Sequence, residues 1–313
     1  MQASATGQQH ELRSGQHVAV VVETGGGLRR YAYAGREVVD GYPAESLPDA
    51  ARGQLLVPWP NRVRDGRYRW DGVDQQLALT EPGACNAIHG LVRTLPFAVR
   101  ARDDATVTLG ATLLPQRGYP HRLDVAVTYA LAADGLAVTV SARNTGETDA
   151  PYAVGQHPYI SVGTEHVDDA VLTLPTRHWL RTDGRGLPVG RAAVTGSPFD
   201  FRNPRRLGAT PIDTAFGGLM RDPSGRAITR LANPEDGFTV DVWAGTAASH
   251  LQVFTGDTLA DPDRRRRGLA VEPMSAPPDA FRSGEGLVRL QPGRTHRFGW
   301  GITPATDRSA AVG

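Results

Sequence analysis

The sequence predicts an all-β fold: a large antiparallel β-sandwich with little helix. Three observations carry this. Apolar runs are short and alternate with polar residues, as they do along a strand with one buried face. No stretch keeps a helical apolar stripe over three or more turns. The 36 glycines and 23 prolines are scattered along the chain and punctuate those runs.

The elements follow in order. "HVAVVV" (17–22) and "ATVTLGATLL" (105–114) read as strands. "HRLDVAVTYAL" sets Leu123, Val125, Val127, Tyr129 and Leu131 on one face, "AADG" turns the chain, and "LAVTVSA" returns with Leu136, Val138, Val140 and Ala142. That is a hairpin with a buried side. "FTVDVWA" (238–244), "HLQVFT" (250–255) and "HRFGWGI" (296–302) are further strands. Stretches 45–52 and 275–283 are expected to hold single helical turns. Many short strands with little helix pack best as two facing sheets. With no internal repeat and no linker-like segment, 1–313 reads as one domain, frayed at about 1–10 and 304–313.

Composition narrows the function. The formal charge of +1 supplies no field to gather nucleic acid or an anionic membrane. The expected partner is therefore a neutral or weakly charged small molecule. All 34 Lys+Arg residues are arginine, which excludes Schiff-base chemistry. One cysteine, Cys85, excludes an internal disulfide and a Cys-cluster zinc site. No leader-like N-terminus and no membrane-length apolar run are present, so a cytoplasmic protein is expected.

Four segments interrupt the strand pattern with polar residues. In "LLVPWPNRVRDGRYRWDG" (55–72), proline restricts the backbone ahead of Asn61 and Arg62. Arg64, Arg67 and Arg69 read as a solvated surface turn, Arg62 as either turn or site, and Trp59 as packing. In "CNAIHGLVR" (85–93), His89 suits a structural role as well as a chemical one. "GQHPYISVG" (155–163) carries His157, open to the same two readings. In "GLAVEPMSAPPDAFRSGEG" (268–286), Glu272 ends an apolar strand. A carboxylate there needs a partner or a shifted pKa, so it is a general base or half of a buried ion pair. Asp213 in "PIDTAFGG" is a further candidate, although Asp-Thr is also turn chemistry. "GGG" at 25–27 lacks the phosphate-loop pattern, and "RRRR" at 264–267 reads as a solvated loop. His89 and His157 are not at zinc-site spacing, and no metal is called for.

In this order, "PWPNRVRDGRY", "NAIHG", "GQHPYI", "DTAF" and "VEP…PPDA" resemble the aldose 1-epimerase (galactose mutarotase) family over about residues 15–302. The resemblance implies a large antiparallel β-sandwich, no cofactor, and a sugar substrate. It casts Glu272 as general base, His157 as general acid and His89 as a second active-site histidine. It casts Arg62 and Asp213, with Asn61 beside them, as contacts to sugar hydroxyls. The chain departs from the family at Pro58-Trp59-Pro60, where many members carry glycine, and at Met274, where glutamine is common.

The chemistry explains the residue types. An aldose changes anomer by losing the proton of its anomeric hydroxyl while its ring oxygen gains one; C1–C2 rotation and reclosure follow. One base and one acid are needed, expected on different sides of the pyranose, as a carboxylate and a protonated imidazole. A hexose-6-phosphate 1-epimerase and a non-catalytic sugar-binding or regulatory protein are the alternatives. A monomer or homodimer is expected.

Overall fold

In the computed structural model, which describes residues 4–306, two large antiparallel sheets carry most of the chain. The first has nine strands. At its centre are Leu123–Ala132, Gly135–Asn144, Thr295–Thr306 and Phe238–Ala244. The hairpin expected at 123–142 is here, in register from Leu123↔Asn144 to Ala132↔Gly135. Its alternation holds: Leu123, Val125, Val127 and Tyr129 are fully buried.

The second sheet has eight strands and carries the site. Its central run is His178–Thr182, Asp213–Gly217, His250–Phe254 and Leu269–Met274. The short strands Gly155–Gln156 and Tyr159–Ile160 both pair with Leu269–Met274. Side chains from both sheets, among them Val140, Phe298, Trp300, Leu251, Val253 and Val271, form one apolar core. A buried polar chain ties the sheets together. Trp300 Nε1 donates to Gln156 Oε1 at 3.0 Å, and Gln156 Nε2 donates to Tyr129 Oη at 2.7 Å. A four-stranded sheet, from Gln9–Ser14 to Arg36–Glu37, completes the N-terminal part.

Several expectations are corrected. Residues 45–52 form turns without helix, whereas 275–283 does contain one helical turn, Ala280–Ser283. Strands reach into both ends expected to fray, at Gln9–Ser14 and Thr295–Thr306; residues 1–3 and 307–313 lie outside the described residues. Glu272 sits inside its strand, not at the end, because pairing on both sides continues through Pro273 to Met274. The arginine turn is two short strands, Arg62–Arg64 and Arg67–Trp70, and Arg64 reaches Asp183 at 3.2 Å.

The "RRRR" segment is solvated only in part: Arg265 and Arg267 are exposed, whereas Arg264 and Arg266 are half-buried. Arg264 pairs with Asp40 at 3.1 Å, Arg265 donates to the Leu259 carbonyl at 2.8 Å, and Arg266 pairs with Asp168 at 2.6 Å and Asp257 at 2.7 Å. Asp40 and Asp168, distant in sequence, hold Arg264 and Arg266 down. No helix among the described residues is long and apolar enough to cross a membrane.

Candidate active site

His157 and Glu272 meet because of strand register. Gly155 lies opposite Met274, and Tyr159 lies opposite Ala270, so the residue midway between them faces Glu272. His157 Nε2 is 3.2 Å from Glu272 Oε1. Both side chains are buried, at 5% and 1% exposure. The expectation of acid and base on different sides of a sugar ring is corrected. They touch, because the segments that carry them are neighbours in one sheet.

Burial is the largest influence on each. It pulls the His157 imidazole down to about 3, and the Arg52 guanidinium acts in the same direction. It raises the Glu272 carboxyl well above its ordinary value; the Asp213 charge adds to this and Arg62 opposes it. The proton of this pair therefore favours the carboxyl, and the imidazole is neutral. The expected imidazolium beside a carboxylate differs from this form by one proton shift along the contact. His157 Nδ1 and Glu272 Oε2 have no protein partner.

The Pro-Trp-Pro-Asn-Arg and Asn-Ala-Ile-His-Gly segments pair as Arg62–Arg64 with Asn86–Ile88. Just past that pairing, Asn61 and His89 both adopt left-handed backbone, at φ 55° and 62°. Asparagine tolerates this region; histidine does so less readily and needs support. The support is reciprocal. The His89 N–H donates to the Asn61 carbonyl at 2.9 Å, and the Asn61 N–H donates to His89 Nδ1 at 3.2 Å. Accepting at Nδ1 fixes the tautomer, so a neutral His89 carries its proton on Nε2. Burial, reinforced by His157, keeps it neutral, well below the usual imidazole range. The His89 and His157 rings meet edge to face at 5.4 Å.

Arg62 is aimed by Glu81, whose carboxylate accepts from Nε at 2.9 Å and Nη2 at 2.8 Å. Asp213 opens its strand and accepts from Gln252 Nε2 at 2.7 Å. It is open to solvent at the mouth of the site, yet the protein crowded around it raises its carboxyl, against the pull of Arg62.

One cavity of about 490 Å³ brings together Asn61, Arg62, His89, His157, Asp213 and Glu272. That is the scale of a small-molecule site. The Pro48–Ala51 and Thr258–Asp261 loops form its lips.

Among the lining residues that sequence reasoning missed, four stand beside the cluster. Gln252 lies opposite Glu272 on the next strand, and Asp49 stands on a lip. The Tyr159 ring stacks on His157 at 5.0 Å, with the buried Arg52 guanidinium 3.9 Å from the Tyr159 centroid. Arg93 lines the cavity, donates to Gln54 Oε1 at 3.3 Å, and has no carboxylate partner among the described residues. The Tyr two places after His157 was a visible signal; the others had none. Trp59 is buried and packs 5.3 Å from Phe281, in keeping with its packing role.

The fold and this cluster define a β-sandwich protein with a sugar-sized acid–base site. The chain belongs to the aldose 1-epimerase family, whose profile matches residues 8–303. It is 35% identical over 298 residues to the uncharacterized protein YihR of Escherichia coli K12, covering 95% of this chain and 93% of that one. It is 26% identical to the galactose mutarotase of Sus scrofa, covering 66% and 63%. The fold matches a GalM/aldose epimerase homologue from C. elegans at a TM-score of 0.85, with 16% identity over 96% of this chain and 99% of that one. It matches galactose 1-epimerase from Lactobacillus acidophilus at 0.80, with 20% identity over 95% and 94%.

Proposed function

We propose that the chain interconverts the α and β anomers of a free aldose by ring opening and reclosure. One observation carries this reading: the 3.2 Å contact of His157 Nε2 with Glu272 Oε1 on the wall of a polar, sugar-sized cavity. The anomeric and ring oxygens share one carbon, so they are close neighbours. Two acid–base atoms in mutual contact can each reach one of them. As one member takes the anomeric proton, the other delivers one to the ring oxygen, and reclosure reverses the exchange.

An imidazole beside a carboxylic acid and an imidazolium beside a carboxylate hold the same number of protons. They differ by one proton shift along the contact. The resemblance assigns Glu272 as base and His157 as acid, which uses the second form; burial favours the first. Either form moves the same two protons. His89 Nε2–H is a further donor to a sugar oxygen, and Arg62, Asp213 and Asn61 serve hydroxyls away from C1. Holding the rest of the sugar while C1 turns directs binding energy to the reaction.

The test is polarimetry of freshly dissolved α-D-glucose and α-D-galactose. Glu272→Gln and His157→Asn are each expected to lose about 10²–10⁴-fold in catalysed rate while staying folded. Full activity in either folded variant contradicts the assignment. A phosphorylated hexose is the second reading, favoured by Arg93, which lines the cavity and has no carboxylate partner among the described residues. A parallel run with glucose-6-phosphate decides between them.

A further inference from the structure

We infer that His178 and His250 form a second ligand site, a two-histidine seat for a divalent transition-metal ion such as Zn²⁺, Ni²⁺ or Cu²⁺. Three adjacent strands set it up. His178 lies opposite Gly217, and Gly217 lies opposite His250. The two histidines therefore flank a residue with no side chain. Their rings lean over it, with centroids 6.4 Å apart and planes at 74°.

Both Nε2 atoms are buried and have no hydrogen-bond partner. A methyl group built on Gly217 collides with His178 Nε2 and stands 3.0 Å from His250 Nε2. Both nitrogens thus crowd one point in the slot that glycine leaves open. An ion cannot take the methyl position itself, which lies one C–C bond from the Gly217 Cα; it would sit farther out over the glycine, with both rings turned toward it to make bonds of about 2.0–2.1 Å.

The hydrogen bonds around His250 prepare it as a ligand. Ser249 Oγ donates to the Ser275 carbonyl at 2.7 Å. Its single proton is then used, so in its 2.9 Å contact with His250 Nδ1 it accepts. Nδ1 carries the ring proton, and Nε2 presents a bare lone pair to the slot. A neighbour that fixes the tautomer in this way is typical of metal-binding histidine. His250 is 5% exposed, and burial keeps it neutral. His178 is only partly buried, which leaves a way in from solvent.

Two charged groups stand near both rings: Glu285, which favours a cation, and Arg191, which opposes one and is itself paired with Glu285. No cluster of three or more His, Cys, Asp or Glu is gathered for a metal among the described residues. The protein supplies two nitrogens, and water completes the shell. Imidazole suits zinc, nickel and copper, whereas magnesium and calcium prefer oxygen.

The test is calorimetric titration of the chelator-treated full chain with ZnCl₂, NiCl₂ and CuCl₂ near neutral pH. One saturable site is expected for at least one ion. His250→Ala and His178→Ala are each expected to weaken it at least about tenfold. Gly217→Ala is the sharper variant. It keeps both histidines and, since Gly217 has ordinary backbone, fills the slot without forcing a strained φ. It too is expected to weaken binding at least about tenfold. Circular dichroism checks each fold, and His250→Gln replaces any alanine variant that fails it. The proposal is overturned if no ion saturates the wild-type chain, or if binding is unchanged in His250→Ala or in folded Gly217→Ala.

Discussion

Acidification separates a buried neutral pair from an ordinary histidine. An imidazole at its usual value of 6.5 is about 25-fold less populated in the neutral form at about pH 5 than at about pH 7. His157 sits at about 3, equivalent to roughly 5 kcal/mol against gaining a second proton. His89 moves in the same direction. A free hexose carries no charge, so pH acts on the protein alone. Catalysed kcat/KM, measured by polarimetry with the buffer blank subtracted, is expected to stay within about twofold between about pH 7 and pH 5. Circular dichroism at each pH establishes that the chain remains folded. A fall of about tenfold or more with an apparent pKa near 6.5, in a folded chain, shows an ordinary imidazole whose neutral form is required and refutes the lowered value of His157.

Two further outcomes are expected. The raised Glu272 means the folded chain binds more protons than the unfolded one above the ordinary carboxylate value, so this group's stabilising contribution is lost as pH rises toward its folded value. Glu272→Gln removes that loss, and thermal melts are expected to show a Tm gain of about 2–5 °C near pH 8 that shrinks toward pH 5; a lower Tm at both pH values rejects it. Gly90 has φ 70°, and a methyl there collides with the Val57 carbonyl, which also accepts the Leu91 N–H at 2.7 Å. Gly90→Ala is expected to lose more than about 2 kcal/mol and to lower kcat/KM by shifting His89; a wild-type Tm contradicts this.

Much of the fold was legible because strand alternation is local. The face shared by Leu123, Val125, Val127 and Tyr129 is written in neighbouring letters, and those residues are buried together. The six site residues were legible only through the order of their motifs. What stayed hidden depended on register, which no single strand specifies. Gln252 reads as one polar position in "HLQVF"; it becomes part of the site only because it pairs with Glu272. The direct His157–Glu272 contact is hidden for the same reason. Arg264 and Arg266 were misread because Asp40 and Asp168, which bind them, stand far away in the chain.

The His157–Glu272 pair rides on the sheet, whereas the rim at Pro48–Ala51 and Thr258–Asp261 is loop. The acid–base contact and part of the cavity mouth are thereby housed in separable parts. A mutant library confined to the rim would reshape the mouth of the cavity and leave that contact unaltered. Such modularity offers evolution, or a protein engineer, a way to change the guest without rebuilding the hearth.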